Sequence, residues 1–296
     1  MSTYPFMQVD AFTNRPLGGN PCAILFDTDD LDDETMLAIA REMNLSETSF
    51  VRQSSVADFG ARYFTPGGEI PMAGHPTIAT TFALVETGRM TLTGDQTTIH
   101  LELPVGPIPI DIFAQQGVVQ HIVMSQKKPQ FLATYHPGEV MPLFGLSVDD
   151  ALPNVPIQTV STGTPQLMVP VRNLDVLRRV QMDIVAYADF HASADFFSAH
   201  LFCLQGVTEA GQTFARHFAS PPDLLEDPFT GSATGGMGAY LWRHNLIKKP
   251  EFIAEQGHWM SRSGQATVEV MGPRDDIETV KVGGSAVTIV RGELSL

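Results

Sequence analysis

The sequence predicts an α/β (α+β) protein of two similar lobes, each a curled, mostly antiparallel sheet wrapped around one central helix. Two observations carry that expectation. Three short patterns recur in the same order in the two halves of the chain, and the last of them is in each half a helix almost free of charge.

The first pattern is Gly19-Asn20-Pro21 running into Cys22-Ala23-Ile24-Leu25-Phe26, matched by Gly163-Thr164-Pro165 running into Gln166-Leu167-Met168-Val169. In both, a Gly-Pro turn delivers the chain into an apolar strand. The second is the strand Phe59 to Phe64 ending at Thr65-Pro66, echoed by Phe214 to Phe218 ending at Ser220-Pro221. The third is Gly74-His75-Pro76-Thr77-Ile78-Ala79 against Gly231-Ser232-Ala233-Thr234-Gly235-Gly236. Each copy follows its partner by about half the length of the chain, so duplication explains the set better than chance.

The paired helices explain the wrap. His75 to Val85 holds no charge except at His75, with Pro76 suited to the first helical position and Gly88 to the stop. The second runs from about Ser232 to His244 with no charge before Arg243, and Asn245 suits a left-handed end. A helix that is apolar or small all round is buried on every side. Gly235, Gly236 and Gly238 let strands come close, and alternating segments such as Thr97 to Leu103 and Val118 to Met124 supply them. An amphipathic helix is expected from Asp32 to Met43, its acidic start favoured by the helix dipole, and another after Asn173. The boundary falls near Lys127-Lys128-Pro129, so residues 1–126 form the first lobe and 127–283 the second. On pattern alone the last strand, Ala286 to Val290, could join either.

Composition bounds the function. With 296 residues, 43% of them hydrophobic, the chain can build two cores. Its formal charge of −15 makes nucleic acid and anionic membranes poor partners, although solubility is the simpler account of the acidity. The N-terminus shows no basic patch before a long apolar run, and apolar stretches are too short to span a bilayer, so a cytoplasmic protein is expected. The two cysteines, Cys22 and Cys203, lie in apolar strands; one disulfide could join them, but buried reduced thiols are the better expectation. No CxxC occurs and the nine histidines never fall in ligand spacing, so no metal site is read.

Glu47 carries the first chemical signal. It lies at a helix-to-strand junction between apolar neighbours, where lost hydration raises a carboxyl pKa toward a range useful for moving a proton. A turn glutamate open to water fits the same spacing. The helix starts carry the second signal: unpaired amides around Gly74-His75 and Gly231-Ser232, facing each other, would grip a small anion. Ordinary capping by Thr230 and Ser232 is the alternative, though it explains less well why the arrangement occurs twice. GxSxG, GxGxxG and P-loop patterns are missing.

Asn44-Leu-Ser-Glu-Thr-Ser-Phe-Val51, Arg62-Tyr-Phe-Thr-Pro-Gly-Gly-Glu-Ile-Pro-Met-Ala-Gly-His-Pro-Thr77 and Glu226-Asp-Pro-Phe-Thr-Gly-Ser-Ala-Thr234 resemble the signature segments of the PhzF-like proteins of phenazine biosynthesis. Gly19-Asn20-Pro21 and Gln256-Gly257 agree, so the resemblance covers nearly the whole chain; the stretch to Gly264 follows the family pattern only loosely. It implies the diaminopimelate-epimerase-like fold, a site in the cleft between lobes, a homodimer, and a last strand returning to the first lobe. It implies that Glu47 moves a proton during isomerisation of a small carboxylate-bearing metabolite, with Asp227 and His75 assisting and Asn20, Gly74, Thr230, Gly231 and Ser232 binding it. No metal or organic cofactor is implied. Epimerase and racemase relatives use two cysteines where this chain has Ala73 and Thr230, which points away from thiol chemistry. A cofactor-independent isomerase is the resulting expectation. A non-catalytic metabolite- or protein-binding member and a thiol-independent racemase or epimerase are the alternatives.

Overall fold

The computed structural model describes residues 2–296. The first half contains β1 (Thr3–Ala11), β2 (Asn20–Leu25), α1 (Asp33–Met43), β3 (Glu47–Arg52), β4 (Phe59–Phe64), β5 (Glu69–Ile70), α2 (Gly74–Glu86), β6 (Gln96–Leu103), β7 (Gly106–Gln115) and β8 (Val118–Ser125). The second contains β9 (Gln130–Tyr135), α3 (Pro137–Val140), β10 (Ile157–Ser161), β11 (Pro165–Pro170), α4 (Leu174–Arg179), α5 (Ile184–His191), β12 (Ser198–Cys203), β13 (Thr213–Phe218), β14 (Glu226–Asp227), α6 (Gly231–Arg243), β15 (Glu251–Gln256), β16 (Gly264–Met271) and β17 (Thr279–Gly284). The last strand, β18 (Ala286–Ser295), pairs antiparallel with β1. Among the described residues no helix is long and apolar enough to cross a membrane.

The two halves repeat one pairing plan. β2–β3 and β4–β6 are parallel, and so are their counterparts β11–β12 and β13–β15. The other strand pairs are antiparallel, and β8 against β17 joins the halves. Register repeats as well. Cys22 lies opposite Glu47 as Gln166 lies opposite Ser198, and Tyr63 opposite Ile70 as His217 lies opposite Asp227. Even side-chain pairs recur: Arg62 forks onto Glu69 and stacks over Phe64, while Arg216 forks onto Glu226 and stacks over Phe218. A planar guanidinium can satisfy a carboxylate bidentately and still offer its face to a ring, which is why arginine holds both positions.

Each half curls around its own helix. In α2, Ile78, Ala79, Ala83 and Leu84 are fully buried; in α6 burial is unbroken from Gly231 to Leu241. A buried leucine or isoleucine contributes about 1.5–3 kcal/mol, so helices with so little charge along their length hold where sheet covers them. A Cβ on Gly238 would lie 2.8 Å from Val268, as expected of a glycine that lets a strand approach. Around α1 the sequence reading holds to within a residue. The Asp32 side chain accepts from the Thr35 amide at 2.8 Å, Asn44 closes the helix at φ 49°, and Met36, Ile39 and Ala40 face Phe50 and Phe64. α4 starts after Asn173. The final strand is longer than its pattern suggested, and its place on β1 was open in the pattern and implied by the resemblance.

The helix starts touch. A Cβ on Gly74 would stand 2.5 Å from the Gly231 Cα, closer than any real contact, so only glycine lets α2 and α6 meet there. Gly74→Ala should therefore force the halves apart and lower stability by about 1–3 kcal/mol, the usual range for overpacking. Thermal unfolding measures it; a variant as stable as the unmodified chain would contradict the contact.

Candidate active site

Glu47 is the first residue of β3, aimed by the short link from Asn44 into the space between the halves. Its side chain is only 13% exposed, and Oε2 is buried without a hydrogen-bond partner, 3.5 Å from His75 Nδ1. Loss of hydration, reinforced by the charges of Asp227 and Asp223, raises its pKa well above the ordinary 4.5. A turn glutamate open to water does not describe this residue.

His75, the second residue of α2, is 2% exposed. Burial lowers its pKa to about 4, against an opposing pull from Asp227, so the ring is neutral at neutral pH. Its Nε2 has no partner. Its Nδ1 lies 2.9 Å from the amide nitrogen of Asn20, which also donates to Asp227 Oδ1 at 2.8 Å and to the Phe229 carbonyl at 2.8 Å. Two N–H bonds serve three acceptors, so one contact is shared. Asn20 is fully buried and holds His75 and Asp227 in place from behind.

Asp227 gathers donors from both halves. Besides Asn20, it accepts from Ser46 Oγ at 2.5 Å and from Thr230 Oγ1. Gln256 fixes the loop, donating to the Asp227 carbonyl at 2.6 Å and accepting from the Thr230 amide at 3.1 Å. Thr230 therefore spends its hydroxyl on Asp227. Neither it nor Ala73, the residues at the two helix N-caps, caps its helix with a side chain. The dipole ends of α2 and α6 thus face the cleft, with Gly74 and Gly231 in contact and Ser232 in the wall.

Between the halves lies a small cavity, bounded by both. Ser46, Glu47 and Met72 line it from the first half, and Thr164, Gln166, Ser198, His217, Asp227, Thr230 and Ser232 from the second. Asp223 closes one edge by accepting from the Gly67 amide at 3.0 Å across the gap. The eight residues singled out in the sequence converge here, although Asn20, Gly74, His75 and Gly231 stand behind the lining. Ser46, Thr164, Gln166, Ser198, His217 and Asp223 were not singled out. The repeated Gly-X-Pro turn could have flagged two of them, because it sets Thr164 against Asn20 and Gln166 against Cys22. Thr164 Oγ1 donates to the Met72 carbonyl at 2.9 Å, mirroring the bond from Asn20 to Phe229.

Glu47, His75 and Asp227 are also the group among the described residues whose ligand atoms, within 4.8 Å of one another, could hold a metal ion. Asp227 and His75 Nδ1 already face protein donors, so a metal would have to displace those bonds. Both cysteines are buried and free, and neither flanks a helix start.

Known proteins resemble this chain over nearly its whole length. The family model for phenazine biosynthesis-like proteins, PhzC-PhzF, matches residues 9–292. The trans-2,3-dihydro-3-hydroxyanthranilate isomerase of Pseudomonas fluorescens is 34% identical over 295 residues, covering 98% of this chain and 99% of its own. The uncharacterized isomerase YfhB of Bacillus subtilis is 32% identical over 266 residues, 89% of each chain. A solved PhzF-family phenazine biosynthesis protein of Bacillus anthracis superposes with a TM-score of 0.86 at 35% identity, covering 100% of both chains. The chain accordingly belongs to the PhzC-PhzF family of phenazine biosynthesis-like proteins, and it is an isomerase.

Proposed function

We propose that this isomerase moves a proton between carbons of a small carboxylate-bearing metabolite, without a cofactor, using Glu47 as the acid/base. The observation that carries the reading is the unpartnered, desolvated carboxyl of Glu47, set beside two helix starts that no side chain caps. The substrate carboxylate would sit against the amides of Gly74, His75, Gly231 and Ser232, where fixed dipoles favour an anion in an otherwise acidic chain. Glu47 would take the proton from a carbon activated by that carboxylate; the electron pair spreads into the unsaturated system, and the same carboxylic acid returns the proton elsewhere. A raised pKa narrows the gap between base and carbon acid. His75, neutral, and Asp227 would orient the substrate through the network that Asn20 holds. The lobes would be residues up to 126 with the strand from about 284, and 127–283, a division that the β1–β18 and β9–β10 pairings support. We further propose a cytoplasmic homodimer, as the family resemblance suggests.

Glu47→Gln keeps the shape of the side chain but cannot carry a proton. With trans-2,3-dihydro-3-hydroxyanthranilate, the compound named for the Pseudomonas relatives, binding should persist within a few-fold while turnover falls at least ~100-fold. A folded, binding variant that retains more than about a tenth of the rate would leave too little for Glu47 to do. Alanine at Cys22 and Cys203 should leave the rate unchanged, and loss of turnover in a folded variant would restore a thiol mechanism.

The same variant has an opposite effect on stability. The folded-state pKa of Glu47 lies above its unfolded value near 4.5, so the folded chain holds the extra proton between those values and loses stability as pH rises through that window. His75 runs the other way: its pKa drops from 6.5 to about 4, so stability is gained as pH climbs across that interval. Removing the first titration alone should make Glu47→Gln progressively more stable relative to the unmodified chain as pH rises above about 4.5. A stability difference that stays flat with pH would mean the carboxyl is not desolvated.

A further inference from the structure

The pseudo-twofold relation gives Glu47 a counterpart. Ser198 occupies in β12 the register position that Glu47 holds in β3, each opposite the residue that directly follows its Gly-X-Pro turn, Gln166 and Cys22 respectively. Both line the cavity, from opposite halves. In the first half the position beside this strand is the phenol of Tyr63, turned into the core toward Thr77. In the second half it is His217, which lines the cavity and reaches Ser198 Oγ through Nε2 at 2.8 Å. His217 Nδ1 meets His200 Nδ1 at 3.2 Å, and Ser198 Oγ donates to Gln166 Oε1 at 2.5 Å.

The direction of this chain follows from the donors available. Burial lowers the pKa of both histidines, that of His200 to about 3, so each ring carries a single N–H. The Ser198 proton goes to Gln166, so the proton on His217 sits on Nε2 and points at Ser198. His200 then donates to His217, leaving its own buried Nε2 as a bare acceptor without a partner. The reverse order would bury an N–H with no acceptor, the rarer condition in proteins. Ser198 Oγ therefore gives its proton away, receives one bond, and keeps a lone pair on the wall of the cavity. A polar chain of four side chains buried at 0–3% exposure costs free energy on folding, and local structure gives it no role.

We propose that Ser198, oriented by His217, is a specificity-determining contact that accepts a hydrogen bond from a hydroxyl or amino group on the substrate, on the side of the cavity away from Glu47. This rests on the proposed function and narrows its substrate class, from any small unsaturated carboxylate to one bearing a donor substituent. His217 is a positioning residue: its N–H fixes the lone pair of Ser198. A site built to receive a substituent discriminates against its absence, because the unpaired group then stays desolvated.

Titration calorimetry of benzoate against the isomeric hydroxybenzoates separates the outcomes. The unmodified protein should bind at least one hydroxybenzoate about five- to tenfold more tightly than benzoate. Ser198→Ala should abolish that preference and leave benzoate affinity unchanged. His217→Gln, which keeps an N–H in reach of Ser198, should retain the preference, while His217→Leu should lose it. No preference in the unmodified protein, or a Ser198→Ala variant that weakens benzoate and its hydroxylated partner equally, would overturn the inference alone. Failure of every carboxylate to bind would overturn it together with the proposed function.

Discussion

The contact between Gly74 and Gly231 organises the molecule. Two helices, each enclosed by its own half of the sheet, meet start to start where no side chain could fit. Like ends of two dipoles are brought together there, an arrangement that repels unless negative charge lies nearby. Asp227 supplies it, and a substrate carboxylate would complete it. The uncapped N-termini, the cluster of carboxylates and the small cavity are one electrostatic solution.

The two halves have kept their scaffold and divided their chemistry. Arginine–glutamate forks brace equivalent strands, and cross-half bonds from Asn20 and Thr164 land on equivalent carbonyls. At the cavity wall the copies part company. Where the first half offers Glu47 and Ile70 and turns Tyr63 into the core, the second offers Ser198, Asp227 and His217. Such divergence leaves the scaffold intact because the curled sheets and the buried helices carry most of the apolar burial. The unsatisfied oxygen of Glu47 and ring nitrogens of His75 and His200 are costs that those cores absorb.

Much of this was legible in the sequence where one rule governed. Uncharged helices announced their burial, Asp32 and Asn44 marked the ends of α1, and the repeated turns revealed the duplication. The convergence of Glu47, His75 and Asp227 was accessible through motif resemblance, since residues 47, 75 and 227 meet only after the halves fold together. Thr230 shows the limit of local rules. A threonine before a helix reads as a cap, yet its hydroxyl goes to Asp227, a carboxylate three residues earlier that Asn20 and Ser46 hold from the other half. The chain from Gln166 to His200 was equally hidden, because its members lie on three strands and each alone reads as an ordinary buried polar residue. α5 went unread for a related reason: its apolar run, Ile184 to Phe190, has no clean helical period.

The closing strand couples the two ends of the chain. β18 pairs with β1 from Thr3 opposite Ser295 to Ala11 opposite Ala286, so the first half of the sheet gains its outer neighbour only when nearly the whole chain is in place. Until then β1 presents an open edge, the kind of surface that recruits strands from other molecules. Contacts of such sequence separation form late and slowly. Synthesis therefore exposes an incomplete first half for as long as the second takes to emerge. Chaperone demand, and the damage done by altering a handful of residues near Ser295, should both exceed what their distance from the cleft suggests.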